Sequence, residues 1–323
     1  MKRKNFFISF ILIFIVVFML ISPKLSIDAC LNGVVVWART LVPALFPFFF
    51  ITKILGELGV FNKLGQVLSP ITQKLYNVPG DGGYVYVMGI ISGYPVSSKI
   101  TSDLYSQNII SRGQACRIVS FTSTSGPLFI IGSVGIGMFA SYKAGIVILI
   151  SHIIGASLNG LLYRNYMKDE KLDSVPCRRQ ARSNENLLEE TMLSSIKSVL
   201  IVGGYVCFFF MVITIINYCG MFTPINFGIS KMFNVPYSTV SSITNGVIEM
   251  TKGCFDISLA TQSLRTMTVL GTAMISFGGF SIFLQALTFL KRFNISTRYF
   301  LCVKTTQCII STIIAYLLSI IIL

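Results

Sequence analysis

The sequence predicts an all-α, polytopic integral membrane protein with about seven transmembrane helices and two re-entrant helical hairpins in inverted-topology repeats. Three observations support this fold class. Hydrophobic residues make up 53% of the 323 residues and charged residues only 12%, and the mean hydropathy is +0.75. This composition leaves too little polar surface to cover a soluble globule. Long apolar runs recur, and polar, glycine-bearing segments interrupt them at corresponding places in the two halves.

The charge pattern excludes several other classes of protein. The net charge is +14, but the basic residues lie in short loops between apolar runs, where they orient a membrane protein. We therefore expect a lipid bilayer as the surroundings and no nucleic-acid partner. The eight cysteines form no Cys-x-x-Cys pair, and the single histidine, His152, lies in an apolar run. The sequence thus indicates no disulfide framework, no metal site and no cofactor.

The first element is a retained transmembrane helix within residues 1–25. A basic start, Met1-Lys2-Arg3-Lys4, precedes an apolar run at residues 6–21. The run is long enough to span a bilayer, and no small-residue cleavage site of the Ala-x-Ala kind follows it. We therefore interpret it as a helix that is kept and not as a secretory signal that is removed.

Residues 26–42 mix polar and apolar side chains, which predicts an interfacial helix. They lead into a span that Pro43 and Pro47 should kink, because each proline removes a backbone donor. Further spans are predicted at residues 118–138, 145–163, 198–218, 267–290 and 300–323.

Two segments half a chain apart, after Asn77-Val78-Pro79 and after Asn234-Val235-Pro236, share one pattern. Each runs through a polar, glycine-bearing apolar stretch with ionisable residues and then into a second interrupted stretch. The interrupting residues are Ser92-Gly93-Tyr94-Pro95 and Ser123-Thr124-Ser125-Gly126-Pro127 in the first half, and Asn245-Gly246 with Glu249 and Ser276-Phe277-Gly278-Gly279 in the second half. Paired broken segments of this kind indicate a transport site between inverted repeats.

Each hairpin could instead be an ordinary crossing or a pair of crossings. Glycine, proline and serine cluster where a lipid-facing helix would not tolerate open backbone, which favours hairpins. The predicted organisation is a first helix at 1–25, a first repeat at 26–163, a basic cytosolic linker at 164–195, and a second, inverted repeat with the last helix at 196–323. The positive-inside rule places the N-terminus in the cytoplasm, so the first hairpin enters from the inside and the second from the outside.

Four motifs resemble the sporulation integral membrane protein family of YlbJ type, which carries a nucleoside-recognition or gate domain. They are Leu41-Val42-Pro43-Ala44-Leu45-Phe46-Pro47, Val78-Pro79-Gly80-Asp81, Ser92-Gly93-Tyr94-Pro95 and Thr122-Ser123-Thr124-Ser125-Gly126-Pro127. The usual Thr-Ser-Asn-Pro of that family is here Thr124-Ser125-Gly126-Pro127. The resemblance makes residues 26–163 a gate-type repeat, and it extends by fold-level analogy to concentrative nucleoside transporters.

The resemblance implies an endospore-forming bacterium, a place in the outer forespore membrane, and movement of dipicolinate, a small anionic aromatic metabolite, out of the mother cell cytoplasm. A nucleoside-type transporter and a structural membrane protein needed for spore assembly stay open as alternatives. An enzyme is not expected, because the sequence has no Gly-x-Ser-x-Gly elbow and no His-Glu-x-x-His pair. A homo-oligomer and sporulation membrane partners also stay open.

A site for a flat dianion needs positive charge and hydrogen-bond donors within the membrane. Lys99 and Lys252 supply charge, and Glu249 is the natural partner for a buried lysine or the carrier of a coupling proton. The alternative is that the lysines snorkel to an interface and the hydroxyls only pack helices. The predicted substrate-binding residues are Gly93, Tyr94, Pro95, Ser97, Ser98, Lys99, Thr122, Ser123, Thr124, Ser125, Asn245, Glu249, Lys252, Ser276, Gly278 and Gly279.

Three other polar residues are predicted to lie outside the site. Asp103 and Asp256 lie near hairpin ends, where we expect them to be solvated. His152, on an otherwise apolar helix, is predicted to be a packed or interfacial histidine and not a proton relay.

Overall fold

A computed structural model describes residues 2–168 and 186–323, and these residues form helices and short connections without a strand. Most of the predicted linker at 164–195 lies outside the described residues. The helices are α1 (Lys2–Ile21), α2 (Pro23–Val36), α3 (Val42–Glu57), α4 (Val60–Tyr76), α5 (Asp81–Ser92), α6 (Val96–Ser106), α7 (Arg112–Thr122), α8 (Tyr142–Tyr163), α9 (Leu187–Tyr218), α10 (Thr223–Phe233), α11 (Tyr237–Ile248), α12 (Met250–Ala260), α13 (Leu264–Phe277), α14 (Gly279–Leu290) and α15 (Thr297–Ile322). Two π-helical segments, Trp37–Leu41 and Phe129–Met138, and a 3₁₀ turn, Lys291–Phe293, complete the described elements.

The all-helical membrane fold class is confirmed. In the described part of the chain, five helical stretches are long and apolar enough to cross a membrane: Pro23–Glu57, Tyr142–Tyr163, Leu187–Tyr218, Leu264–Phe293 and Thr297–Ile322. Two shorter apolar stretches, Ser9–Ile21 and Phe129–Met138, fall in the first predicted span and in the predicted span at 118–138. Together they account for about seven predicted spans.

The interfacial helix predicted at residues 26–42 is wrong as a separate element. The π segment Trp37–Leu41 joins α2 to α3 without interruption, so Pro23–Glu57 is one continuous helical stretch that is long and apolar enough to cross a membrane. The Trp37 indole donates to the carbonyl oxygen of Val199 on α9 at 3.0 Å and packs against Gly203 one turn further on. The polar edge of this residue is thus satisfied inside the bundle, so the stretch does not need an aqueous interface. Helix α9 also begins at Leu187, earlier than the predicted boundary at 196.

The repeated motif corresponds to a repeated order of helices. Helices α4 and α10 both end at an asparagine in the left-handed conformation, Asn77 with φ 53° and Asn234 with φ 52°. Each is followed by a helix of 12 residues, a short connection and a helix of 11 residues. We call these pairs hairpin 1 (α5, Gly93-Tyr94-Pro95 and α6) and hairpin 2 (α11, Glu249 and α12). Each hairpin is followed by a broken helix and then by a long helix, α8 or α15.

Hairpin 1 begins beside the C-terminal end of α8, whereas the helix that follows hairpin 2 packs beside the N-terminal end of α8. Asn77, just before hairpin 1, donates its side-chain nitrogen to the carbonyl oxygen of Arg164, 3.1 Å away, immediately after α8 ends. Phe139, just before α8 begins, packs against Gly271 in the helix that follows hairpin 2. Inverted repeats require this geometry. The side of the membrane on which each end lies stays a prediction.

The two halves also interlock through apolar packing. Helix α6 of hairpin 1 packs against α14, the second piece of the broken helix in the other half, with Leu104 and Phe283 in one buried cluster. Helix α12 of hairpin 2 packs reciprocally against the π segment Phe129–Met138, with Ile257 and Val134 in another. Because each hairpin is held by the opposite half, the helix breaks and the hairpin tips come together at the centre of the molecule.

Candidate functional site

The tip of hairpin 1 lies directly against the first helix break, which comprises residues 123–126 after α7. Gly93 has φ +69°, and a β-carbon there would lie 2.6 Å from the backbone nitrogen of Gly126. Only glycine fits such a conformation at such a short backbone separation. The predicted site residues of the tip and of the first break are therefore brought together.

Tyr94 extends from the same tip to the second break, Gly278-Gly279. Its hydroxyl donates to the carbonyl oxygen of Ile275 at 3.3 Å, in the last turn of α13. Its ring lies against Gly278, where the tyrosine Cζ atom would be 3.8 Å from an added β-carbon. Hairpin 1 thus contacts the breaks of both halves.

Hairpin 2 approaches the second break from its other side. Gly279 has φ +70°, and a β-carbon there would lie 3.1 Å from the carbonyl oxygens of Gly246 and Ile248 and from the nitrogen of Met250. The break is therefore flanked by Tyr94 from hairpin 1 and by the backbone around Glu249 from hairpin 2. The predicted residues Gly278 and Gly279 occupy this junction.

His152 on α8 joins the two breaks. It is completely buried, its Nε2 accepts a hydrogen bond from the backbone nitrogen of Ser125 at 2.9 Å, and its Nδ1 lies 2.8 Å from the hydroxyl of Ser276. Since Nε2 accepts, the neutral ring carries its proton on Nδ1 and donates to the serine. His152 is thus a packed histidine, one of the two predicted alternatives, and its partners lie at the two breaks.

Lys304 and Gln307 on α15 were not singled out from the sequence. Lys304 is 2% exposed, and its ammonium donates to the Tyr94 hydroxyl at 2.7 Å, to the Ser123 carbonyl oxygen at 3.2 Å and to the Gln307 amide oxygen at 3.0 Å. The Nζ atom also lies 4.6 Å from the centroid of the Tyr94 ring. A lysine inside the last apolar span was the available signal, since an ionisable residue in a membrane span is a candidate functional residue by default.

The predicted pairing of Glu249 with a lysine does not occur in this structure. Lys252 forms its salt bridge with Asp256, one helical turn along α12. Glu249 is 4% exposed, and its Oε2 accepts from the backbone nitrogen of Lys252 at 2.7 Å, which caps α12. Helix N-termini bind carboxylates in this way, because their first backbone N–H groups have no partner within the helix.

Asp256 is likewise not the solvated residue that we predicted. Besides the salt bridge with Lys252, it accepts from the side-chain nitrogen of Asn245 at 2.7 Å, and Asn245 in turn accepts from Asn217 of α9 at 3.2 Å. This network joins the two arms of hairpin 2 to α9. Asn245 and Asp256 also border an open cavity of about 340 Å³ on the outer side of hairpin 2.

The remaining predicted residues divide into a buried and an exposed group. The hydroxyl residues are buried: Ser97, Ser98, Thr122, Ser123, Thr124 and Ser125. Among the described residues, the hydroxyls of Thr122, Ser123 and Ser151 have no hydrogen-bond partner. The first break therefore has hydroxyl groups that can still form hydrogen bonds with a ligand. Pro95 is partly exposed, and Lys99 lies on the exposed face of α6, about one turn after the tip.

A second lysine accompanies Lys99. Lys53 on α3 is partly buried and donates to the hydroxyls of Ser194 and Ser198 on α9, each at 2.9 Å, with Lys99 as a like charge in its surroundings. In the described part of the chain, the salt bridges are Lys252 with Asp256 and Arg292 with Asp103, so neither Lys53 nor Lys99 is neutralised by a carboxylate there. The sequence gives no signal that singles out Lys53, because a lysine between apolar residues near a helix end resembles an interfacial lysine.

Two helical hairpins that meet two broken helices between interlocked halves define the class of this molecule: a multi-pass integral membrane protein with a transporter-like fold. Residues 38–158 match the family described as Gate, nucleoside recognition. The sporulation integral membrane protein YlbJ of Bacillus subtilis (strain 168) is 27% identical over 339 residues, an alignment that covers 98% of this chain and 83% of that relative. The predicted resemblance to this family is confirmed over nearly the whole chain, and the match to the Gate family covers residues 38–158.

Solved structures of the concentrative nucleoside transporter CNTnw have the same fold. The inward-facing, substrate-bound state superposes with a TM-score of 0.57 at 15% identity and covers 87% of this chain and 75% of that chain. An intermediate state of a variant gives a TM-score of 0.58 at 14% identity over 98% of this chain and 85% of that chain. These relatives are membrane proteins with a transporter-like fold.

Proposed function

We propose that this protein is a sporulation membrane transporter that moves dipicolinate from the mother cell cytoplasm across the outer forespore membrane. The similarity to a sporulation integral membrane protein and the transporter-like fold support this proposal. The N-terminus is cytoplasmic in this account, and the hairpins are re-entrant. The substrate class follows from the charges near the tip of hairpin 1.

The observation that carries the proposal is the pair Lys53 and Lys99. Lys53 is held by serine hydroxyls, neither lysine has a carboxylate partner among the described residues, and an anion bound near both would stabilise them. Dipicolinate carries two carboxylates on a rigid ring, so one molecule can neutralise both lysines. A nucleoside is uncharged and would leave both charges uncompensated.

The neighbouring groups suit the rest of such a ligand. Ser194 and Ser198 already face Lys53, and their hydroxyls donate to carboxylate oxygens when they turn away from the lysine. Lys99 is on hairpin 1, whereas Lys53 and the two serines are on α3 and α9. A bridging dianion would therefore bind hairpin 1 to these helices, and its release would free the hairpin to move.

Uptake into proteoliposomes containing the purified protein tests this function. We expect accumulation of labelled dipicolinate and no accumulation of labelled uridine. Lys53→Ala and Lys99→Ala should each lower dipicolinate uptake at least about tenfold, because each removes a charge-assisted hydrogen bond worth about 1.5–3 kcal/mol. Lys143→Ala, at an exposed lysine at the start of α8, is the matched control and should transport normally.

The alternatives give different results in the same assay. Uptake of uridine without dipicolinate would indicate a nucleoside-type transporter. Uptake of neither compound by well-folded protein would indicate a structural protein needed for spore assembly. Normal dipicolinate uptake by both lysine variants would contradict the proposed anion site while leaving the transporter function intact.

A further inference from the structure

Lys304 is a buried cation that is held by the polar ends of helices. Its three hydrogen-bond partners are a tyrosine hydroxyl, a backbone carbonyl and a side-chain amide oxygen, and none of them carries a formal charge. In the described residues, it takes part in no salt bridge. A buried lysine without a carboxylate is costly, so the surrounding dipoles have to supply its stabilisation.

The hydrogen-bond pattern requires all three ammonium protons. The Ser123 carbonyl oxygen can only accept. The Tyr94 hydroxyl uses its own proton for the carbonyl oxygen of Ile275, so it accepts from Lys304. The amide oxygen of Gln307 is the third acceptor. A neutral amine has two N–H groups, whereas an ammonium has three, and only the ammonium satisfies this set.

The same pattern connects the C-terminal ends of two half-helices. Ser123 caps the C-terminus of α7, and Ile275 lies in the last turn of α13. The last carbonyl groups of a helix have no partner within the helix and carry partial negative charge. Lys304 bonds directly to the first of these ends and, through Tyr94, to the second. One cation thus compensates both breaks.

We propose that the Lys304 ammonium is a resident cation of the paired helix breaks, and that it occupies the position which membrane carriers commonly give to a bound Na⁺. Unwound carbonyls and half-helix C-termini are the groups that hold such ions in carriers with broken helices. This protein provides the charge as a side chain on α15. Its folding and its transport cycle therefore do not require Na⁺.

The groups around the Lys304 ammonium include no paired carboxylate among the described residues. Facing it from other elements are Tyr94 of hairpin 1 and His152 of α8, and Cys308 lies one turn along α15. Removal of the side chain beyond Cβ would leave a hole bordered by three oxygen atoms, those of Tyr94, Ser123 and Gln307. Oxygen ligands suit alkali cations, so the truncated variant should acquire a Na⁺ site.

The test is a thermal unfolding titration of the detergent-purified protein, with NaCl replaced by choline chloride at constant ionic strength. The wild-type midpoint should not depend on Na⁺. The midpoint of Lys304→Ala should rise saturably, by about 5 °C, as Na⁺ reaches about 100 times its dissociation constant. Lys304→Met is the matched control, because its side chain fills the hole without charge, and its midpoint should ignore Na⁺.

Na⁺-dependent stabilisation of the wild type would overturn the proposal. A Lys304→Ala unfolding midpoint that does not depend on Na⁺ would overturn it as well. If Lys304→Ala cannot be purified in either salt, the same titration on Lys304→Ser decides between these outcomes. The proposal goes beyond the proposed transport function, and the readout does not involve a substrate. A failure of dipicolinate uptake would therefore leave this result unaffected.

Discussion

Lys304, His152 and Glu249 are each more than nine-tenths buried, and each bonds to the backbone at a point where a helix begins or breaks. Open backbone at membrane depth has unsatisfied N–H and C=O groups that cost several kcal/mol each when they lack a partner. Ionisable side chains are strong donors and acceptors and can supply those partners. At the residue scale, then, the polar groups of the site stabilise the breaks as well as offering charge to a ligand.

Glu249 provides a test of this dual role. Glu249→Gln retains an oxygen that can accept from the Lys252 nitrogen, so protein abundance should stay close to normal. Glu249→Ala removes the cap and should lower the unfolding free energy by about 1 kcal/mol. Thermal unfolding of both variants beside the wild type measures this difference.

The transport of Glu249→Gln separates a structural carboxylate from one that carries a proton. If Glu249 carries a coupling proton, the amide mimics the protonated form, so substrate exchange should survive while accumulation driven by a pH gradient is lost. Normal gradient-driven accumulation by Glu249→Gln would show that the residue serves only as a cap.

The sequence revealed the site residues to different degrees. The residues at the tip and the breaks, such as Gly93 and Ser125, could be predicted because glycine, proline and serine within an apolar run indicate an interrupted helix. The salt bridge of Lys252 with Asp256 follows the i,i+4 spacing of one helix face and could have been predicted. The contacts of Lys304 with Tyr94 and Ser123 could not, because they join α15 to hairpin 1 and to the first break. Contacts between such distant parts of the chain leave no trace in residue spacing.

At the scale of elements, the connection in each hairpin determines where the hairpin docks. The tip of hairpin 1 contacts the first break through backbone atoms alone, since no side chain lies between Gly93 and Gly126. The second break contacts hairpin 2 in the same manner at Gly279. Backbone cannot move aside as a flexible side chain can, so these junctions should be sensitive to a single methyl group.

Gly93→Ala should therefore lower the thermal midpoint strongly and reduce transport. The added methyl group would lie 2.6 Å from the Gly126 nitrogen, and alanine tolerates φ +69° poorly. Gly204→Ala on α9 is the matched control. No atom lies within 4 Å of an added β-carbon there, so alanine should be neutral or stabilising by up to about 1 kcal/mol. Equal midpoints for the two variants would mean that the tip and the break do not pack as described.

Hairpin and span positions could be predicted from apolar runs, but the segment at residues 26–42 could not. Its mixture of polar and apolar residues indicated an interfacial helix, because the sequence does not show that Trp37 has a hydrogen-bond partner inside the bundle. The Trp37 indole finds that partner on α9, more than 160 residues away in the sequence. A hydrogen bond between distant helices is therefore the reason why the element around Trp37 differs from prediction.

At the scale of the whole molecule, the two halves share one order of helices, and each half holds the hairpin of the other. The order could be predicted from the paired motifs at Asn77 and Asn234. The interlocking of α6 with α14 and of α12 with the π segment could not, because apolar residues carry no information about which half they will contact. Movement of one hairpin should consequently displace residues at both breaks. Alternating access between the two sides of a membrane requires such coupling.

The opposed orientation of the two hairpins is the central claim, and cysteine accessibility tests it most directly. Gln107 and Gln262 are exposed residues just after hairpin 1 and just after hairpin 2. In a cysteine-free background, Gln107→Cys and Gln262→Cys are labelled in oriented membrane vesicles with a thiol reagent that does not cross the bilayer. We expect Gln107→Cys to react only from the cytoplasmic side and Gln262→Cys only from the opposite side. Reaction of both from one side would contradict the inverted arrangement and the transport mechanism that depends on it.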